Sequence, residues 1–171
     1  IMDLLSLGKL MTLNDGRYFL IELPIAHIPA ALDKFVRHLR SRNYGVIIGH
    51  PEKNVQIQRR PNWLVELLSH LEPWDLLIQI SADSLTGAAG RAPLVAARYL
   101  LKKNAVHIIA TDAHAVERRP PNLSNALEEA GRIVGEVRAY QMVTEIPMAV
   151  LKDTEFPALV PINTPKKWWH F

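Results

Sequence analysis

Short apolar runs alternate along the chain with longer segments whose apolar residues recur at helical spacing. The runs are residues 18–23, 45–49, 76–80 and 106–110. Because they are apolar at nearly every position rather than at alternate ones, they predict strands that are buried on both faces of a sheet. Strands of this length separated by helices predict βα units and a parallel sheet, which is an α/β fold.

The segments between these runs carry the signals of amphipathic helices. Helices are predicted over residues 30–42, 62–70, 91–103 and 120–134, and a further short one over 146–151. We expect Asn62 to cap the second helix and Pro120-Pro121 to begin the fourth. Residues 1–152 are predicted to form one domain, and the proline-punctuated residues 153–171 a poorly ordered tail. Periodicity alone does not distinguish a barrel from an open, doubly wound sheet.

Composition limits the classes of protein that fit this pattern. The 171 residues are 49% hydrophobic and 22% charged, and no apolar run is long enough to span a bilayer. The net charge of +3 comes partly from the tail sequence TPKKWWHF, and no basic stripe interleaved with aromatics is present. We therefore predict neither membrane insertion nor nucleic-acid binding. The lack of cysteine excludes thiolate chemistry within these residues and agrees with a cytoplasmic location.

Polar residues, among them acids and histidines that can bind metal, lie at the ends of the predicted strands. In parallel α/β folds, functional sites lie at the carboxyl ends of the strands, and these ends meet at one edge. The residues at these positions are Glu22 after the first run, His50, Glu52 and Lys53 after the second, Gln79, Ser81 and Ser84 at the third, and Asp112 and His114 after the fourth. Carboxylates and imidazoles without thiolates form a mixed oxygen and nitrogen ligand set, which suits Mn²⁺, Fe²⁺ or Zn²⁺.

Each of these residues also has a purely structural interpretation. Asp112 alone is a common cap of a following turn, His50 before a proline is more often structural, and Glu22 is equally suited to pairing with a backbone amide or an arginine. Their convergence on one predicted edge favours the metal site. The other histidines are interpreted as structural or surface residues: His27, His38, His70, His107 and His170.

Basic residues near the last strand supply a second kind of chemistry. Arg118 and Arg119 closely follow Asp112 and His114, and an arginine fork binds phosphate or carboxylate in a bidentate manner. For one of the two arginines, the simpler interpretation is a solvated turn. Lys53, three residues after His50, is a weaker candidate for the same role.

Four stretches in this order and spacing resemble one known family. They are YFLIELP…HIP, IIGHPEKN, LIQISADSLTG and HIIATDAHAVERR. The chain is similar over about residues 8–152 to the bacterial tyrosine phosphatases of the polymerase-and-histidinol-phosphatase (PHP) type, found in capsule and exopolysaccharide operons. The resemblance implies the C-terminal portion of a distorted (β/α)₇ barrel with a cluster of divalent metals, usually manganese.

The resemblance also implies roles for individual residues. Glu22 corresponds to a bridging carboxylate ligand, while His50, Asp112 and His114 correspond to further metal ligands. Arg119 corresponds to the phosphate-binding arginine, and Lys53 stands where the family's HPER motif has an arginine. The implied activity is metal-assisted hydrolysis of phosphotyrosine in the tail of a tyrosine autokinase that regulates polysaccharide synthesis.

Several departures from the family keep other functions open. The family's opening His-x-His is absent, so we expect an N-terminally truncated chain with impaired activity and an unpaired, association-prone sheet edge. Lys53, Asp83 and Ala115 also replace the family's typical residues. The alternatives are a non-catalytic remnant or binding module, and a phosphatase of small phosphate esters. Oligomeric state is not predicted.

Overall fold

Four parallel strands form the centre of the fold. The computed structural model describes residues 11–114, 122–157, 159, 161 and 162. The strands are β1 (Tyr18–Glu22), β2 (Gly45–Gly49), β3 (Leu76–Ser81) and β4 (Ile108–Ala110). They pair in the order β1-β2-β3-β4, and every pairing is parallel. The prediction of a parallel sheet built from βα units is confirmed.

Helices cover the sheet and connect its strands. They are α1 (Leu32–Arg40), α2 (Val55–Arg59), α3 (Asn62–Ser69), α4 (Ala82–Thr86), α5 (Arg91–Lys102), α6 (Ser124–Val134), α7 (Glu136–Val143) and α8 (Glu145–Lys152), with short 3₁₀ turns at Leu13–Asp15 and Pro51–Lys53. Helices α2, α4 and α7 were not predicted. The first two have five residues each, too few to show a period, and α7 follows α6 after the single residue Gly135 at φ 86°. No described helix has the length and apolar character needed to cross a bilayer.

The predicted cap of α3 is wrong. Asn62 is the first residue of the helix, and Pro61 precedes it as the cap. The Asn62 side chain instead donates to Glu66 Oε1 at 2.8 Å and accepts from the Tyr99 hydroxyl at 2.9 Å. Asn62 therefore links α3 to α5. The predicted helix start at Pro120-Pro121 lies outside the described residues.

The sheet is buried on both faces, as the apolar runs predict. One face carries Phe19, Val46 and Ile78, which pack against the main helical layer. The opposite face carries Tyr18, Ile47, Leu77 and Ile108, which pack with Ile146, Ala149, Val150 and Phe156. A side chain at Gly45 would collide with the Tyr18 ring, so the close approach of β1 and β2 requires glycine there.

Strand β4 begins two residues later than predicted because a histidine side chain replaces part of the backbone ladder. The His107 N–H donates to the Ile78 carbonyl at 2.9 Å, and the Ile78 N–H donates to His107 Nδ1 at 3.0 Å. This second bond requires a neutral ring nitrogen. Burial, together with the charge of Arg138, lowers the pKa of His107 to about 3.

The described residues that follow α8 pack against the rest of the protein. Phe156 is buried and meets the Trp74 ring edge-on, with centroids 4.5 Å apart. Leu159 is also buried, and the Ile162 N–H donates to the Lys103 carbonyl at 2.8 Å. Phe156 belongs to the core on the second face of the sheet, so at this position the structure differs from the predicted poorly ordered tail. The division of the chain at residue 152 stays a prediction.

We expect His107 to make the protein less stable in mild acid. Its pKa is 6.5 when exposed and about 3 when folded, so the unfolded state binds more protons between these values. The free energy of unfolding therefore decreases as the pH falls below 6.5. From pH 7 to pH 5 the loss should be roughly 2 kcal/mol, measured by urea unfolding. His107→Asn lacks this titration, so parallel pH profiles for the two proteins would contradict the prediction.

Candidate metal centre

The carboxyl ends of the strands bring five predicted site residues around one cavity. This cavity of about 240 Å³ is lined by Glu22, His50, Lys53, Asp112 and His114, together with Leu23, Ile25 and Asn54. Glu22 ends β1, His50 directly follows β2, and Asp112 lies two residues beyond β4. Their convergence follows from the parallel arrangement, which places all these ends at the same edge.

The four predicted metal ligands lie as two pairs. His50 Nε2 is 3.1 Å from Glu22 Oε1, and His114 Nδ1 is 3.8 Å from Asp112 Oδ1. In each pair one side chain is 66% exposed, Glu22 and His114, and its partner is largely covered. Among the described residues, no three acidic or imidazole side chains are arranged to hold one metal ion. Each pair therefore offers part of a coordination shell.

The donor types suit a divalent ion. Two carboxylates and two imidazoles are ligands for Mn²⁺, Fe²⁺ or Zn²⁺. The exposed member of each pair is accessible to solvent, so an ion bound there would keep positions for water and substrate. The side chains present are chemically compatible with the metal centre that the sequence predicts.

Two of these residues have a backbone conformation that is unusual outside glycine. His50 lies in the left-handed region at φ 35° and ψ 50°, and Asp112 has φ 53°. Such conformations cost about 1 kcal/mol or more and persist when surrounding contacts hold them. The His50 N–H donates to the Gln79 carbonyl at 2.7 Å, which ties the turn to β3. This geometry directs both side chains into the cavity, and strain of this kind is typical of functional sites.

Lys53 neutralises the most enclosed carboxylate of the cavity. Its Nζ donates to Asp112 Oδ2 at 2.7 Å, across 59 residues of sequence. Burial alone would raise the pKa of Asp112, but the hydrogen bond and charge of Lys53, with the charges of His50 and His114, outweigh burial and lower it. Asp112 is therefore held as an anion. The lysine also occupies one oxygen that the sequence assigns to a metal.

Glu52 is a buried carboxyl group to which the sequence assigned no role. Its side chain is fully buried, and Oε1 accepts from the Ser81 N–H at 3.0 Å. Burial raises the pKa of Glu52. The bond joins the turn Pro51–Lys53 to the end of β3, so Glu52 supports His50 and Lys53, which line the cavity. The sequence offered one signal for Glu52, its position in the HPEK stretch. It did not indicate whether the Glu52 side chain faces inward.

Asn54 is a second residue that the sequence did not single out. Its Oδ1 accepts from the Ile57 N–H at 3.0 Å and caps α2. Its Nδ2 donates to the carbonyls of Pro24 and His27, at 2.7 and 2.9 Å. Asn54 thus fixes the loop after β1 against α2. An asparagine directly before a short helical segment is a recognisable capping signal.

The remaining predicted residues lie elsewhere. Arg119, with Arg118 and Ala115, lies outside the described residues, and its role stays a prediction. Ser81 and Ser84 are buried beneath the edge of the sheet rather than on the lining of the cavity. His27 is exposed and contributes its backbone carbonyl to the Asn54 contact.

Comparison with known proteins decides the family. Residues 1–152 match the sequence profile of a family described as capsular polysaccharide synthesis, CpsB/CapC. The chain belongs to the CpsB/CapC family. This membership confirms the resemblance drawn from the four sequence stretches.

Individual relatives agree with this membership. The chain is 30% identical over 152 residues to the tyrosine-protein phosphatase YwqE of Bacillus subtilis, covering 89% of this chain and 58% of YwqE. It is 35% identical over 108 residues to a putative tyrosine-protein phosphatase, CapC, of Staphylococcus aureus, covering 63% of this chain and 41% of CapC. The chain therefore spans less than two thirds of either relative.

A solved structure confirms the fold class. It is described as YwqE from Bacillus subtilis and CpsB from Streptococcus pneumoniae, unique metal-dependent tyrosine phosphatases. The superposition has a TM-score of 0.86 at 28% sequence identity and covers 97% of this chain and 65% of that one. Over the shared region, the present chain therefore has the same α/β architecture as the compared structure.

We expect loss of the Glu52 carboxyl group to destabilise the fold. Glu52→Ala leaves the buried Ser81 N–H without an acceptor and opens a cavity, which should cost about 2–4 kcal/mol in the free energy of unfolding. Glu52→Gln keeps an acceptor oxygen of the same shape and should cost less than about 1 kcal/mol. Urea unfolding at pH 7 compares the two variants. Equal losses would mean that the Ser81 contact contributes little.

Removing the Lys53 charge should strengthen metal binding. In Lys53→Met, Asp112 Oδ2 loses a competing cation at 2.7 Å, so the Kd for Mn²⁺ should fall about three- to tenfold in calorimetric titration. Lys102→Met, with the same charge change at the exposed end of α5, is the control and should leave the Kd unchanged. Weaker Mn²⁺ binding by Lys53→Met would instead indicate that the lysine supports the site.

Proposed function

We propose that this chain carries part of the active site of a metal-dependent protein-tyrosine phosphatase that acts in capsular polysaccharide synthesis. The supporting observation is the cavity in which Glu22, His50, Lys53, Asp112 and His114 meet, in a member of the CpsB/CapC family. The relatives named as tyrosine-protein phosphatases, and the compared structure described as metal-dependent, support the reaction class.

The described residues suggest how the site would bind a phosphate ester. The pairs Glu22–His50 and Asp112–His114 would hold divalent metal, for which we propose Mn²⁺. Bound metal supplies Lewis-acid stabilisation of the phosphoryl oxygens and activates water. The Lys53 ammonium group, held at the cavity by Asp112, adds positive charge where those oxygens would lie. Arg119 is proposed as a further phosphate ligand.

The partial burial of charged side chains in the cavity also favours hydrolysis of a phosphate ester. Asp112 and Lys53 are mostly covered, with side chains 15% and 21% exposed, so their charges act in a partly shielded environment. Electrostatic interactions are stronger there than in bulk water. Bound metal together with Lys53 would offset the negative charges of Glu22 and Asp112 and would supply the fixed positive charge that a phosphate dianion requires. The proposed substrate is phosphotyrosine in the tail of a tyrosine autokinase, and the proposed location is the cytoplasm.

Hydrolysis of p-nitrophenyl phosphate tests this proposal. We expect slow turnover by the 171-residue chain with Mn²⁺, and a decrease of roughly 100-fold in Asp112→Asn, which loses a charged oxygen donor. His70→Ala is the control, because this imidazole is exposed at the end of α3, away from the cavity.

Circular dichroism checks that each variant is folded. A folded wild-type chain without turnover in Mn²⁺, Mg²⁺ or Zn²⁺ would contradict catalysis by this chain and would favour the binding-module alternative. Equal rates for the wild type and Asp112→Asn would contradict the proposed site.

A further inference from the structure

A second cavity lies beside the candidate metal centre and shares its walls. We call it the flank groove: a cavity of about 620 Å³ whose lining includes Ile28, Pro29, Gln56, Arg59, Arg60 and Trp63. Residues 23–30 form one wall of both cavities, and residues 53–60 contribute to the other. The metal centre is lined by Leu23, Ile25, Lys53 and Asn54. Farther along the same two segments, the groove is lined by residues 28–30 and by Gln56, Arg59 and Arg60.

Hydrogen bonds between the two walls form a continuous strip that separates the cavities. The Val55 N–H donates to the Ile25 carbonyl at 2.8 Å, and the Ile28 N–H donates to Gln56 Oε1 at 2.7 Å. The Asn54 side chain adds its two bonds to the same loop. These bonds fix the two walls relative to each other. A bound peptide that extends from the metal centre over this strip would therefore meet a preformed surface.

Within the described residues, the flank groove combines apolar side chains with one arginine that has no ion pair. Ile28 and Trp63 are half-buried and give it an apolar floor. Arg60 pairs with Glu66 at 2.9 Å, and Asp33, which also lines the groove, pairs with Arg37 at 2.9 Å. Arg59 is exposed and has no ion pair within the described part of the chain. The groove therefore complements an anionic side chain next to apolar ones.

We propose that the flank groove binds the peptide beside the phosphotyrosine and selects an acidic residue there through Arg59. This inference rests on the proposed function, because the phosphotyrosine is placed in the metal centre. Helix α2 rises roughly 6 Å from Val55 to Arg59, at about 1.5 Å per residue. An extended peptide advances about 3.3 Å per residue. The rise along α2 alone corresponds to about two residues of extended peptide. Because Lys53 and Asn54 line the metal centre just before this helix, we place the selected residue two to four positions from the phosphotyrosine.

Fluorescence anisotropy with labelled peptides tests the selection on the full 171-residue chain in Mn²⁺. The peptides carry a central tyrosine, phosphorylated or not, with glutamate or glutamine at positions two to four on either side. We expect glutamate on one side to strengthen binding about two- to fivefold, which is the effect of an exposed charge pair. Arg59→Glu should abolish this preference, and Arg59→Lys should keep part of it.

The control variant separates a local contact from general attraction. Arg42→Glu makes the same charge change at an exposed residue between α1 and β2, at the opposite end of the sheet. It should leave the glutamate preference intact. A preference that is lost equally in Arg42→Glu and Arg59→Glu would overturn the proposal, as would a preference that neither variant changes. Absence of any glutamate preference in the wild type would also overturn it.

Comparison of the two peptide forms distinguishes this inference from the proposed function. An Arg59-dependent glutamate preference in both forms, without tighter binding of the phosphorylated peptide and without turnover of p-nitrophenyl phosphate, would support the flank groove and contradict the phosphatase. Turnover and tighter binding of phosphotyrosine without any effect of Arg59 would support the phosphatase and contradict the flank groove.

Discussion

Parallel pairing of four adjacent strands is the constraint on which the candidate site depends. In the observed register, Glu22 lies opposite Gly49, and Ser81 lies opposite Ala110, so the strands end at one edge of the sheet. The two faces pack against different cores. A slip of one residue would exchange the side chains between these cores, which makes the register strongly specified. Core packing therefore positions the polar residues beyond each strand, although none of them contributes to the core itself.

The turn after β2 places side chains with different roles at the carboxyl edge of the sheet. Its neighbouring residues Glu52 and Lys53 point to opposite environments, one into the protein beneath β3 and the other across to Asp112. The buried acid anchors the turn, and the lysine balances the charge of the cavity. His50, in its left-handed conformation, begins the same turn. The HPEK stretch thus combines support, charge balance and a candidate ligand in four residues.

Most of the fold was predictable because burial imposes a local pattern. Strands β1, β2 and β3 and the longer helices appear directly as apolar runs or helical spacing. Failures occurred where structure depends on distant contacts. The late start of β4 reflects the His107 side chain bonding to Ile78, and the packing of Phe156 depends on Trp74. Neither contact leaves a periodic trace in the chain. The candidate site was predicted as a set of residues, but its internal pairing was not.

The sequence by itself determined the α/β class, the order of the strands' polar ends and membership of a recognisable family, because these depend on residue types at short spacings. Only the tertiary structure decided that Lys53 pairs with Asp112, that Glu52 is buried, and that the proposed ligands stand as two pairs. The longest of these contacts, between Lys53 and Asp112, joins residues 59 positions apart. They depend on strand register, turn conformation and packing together, and none of these is encoded within a single local segment.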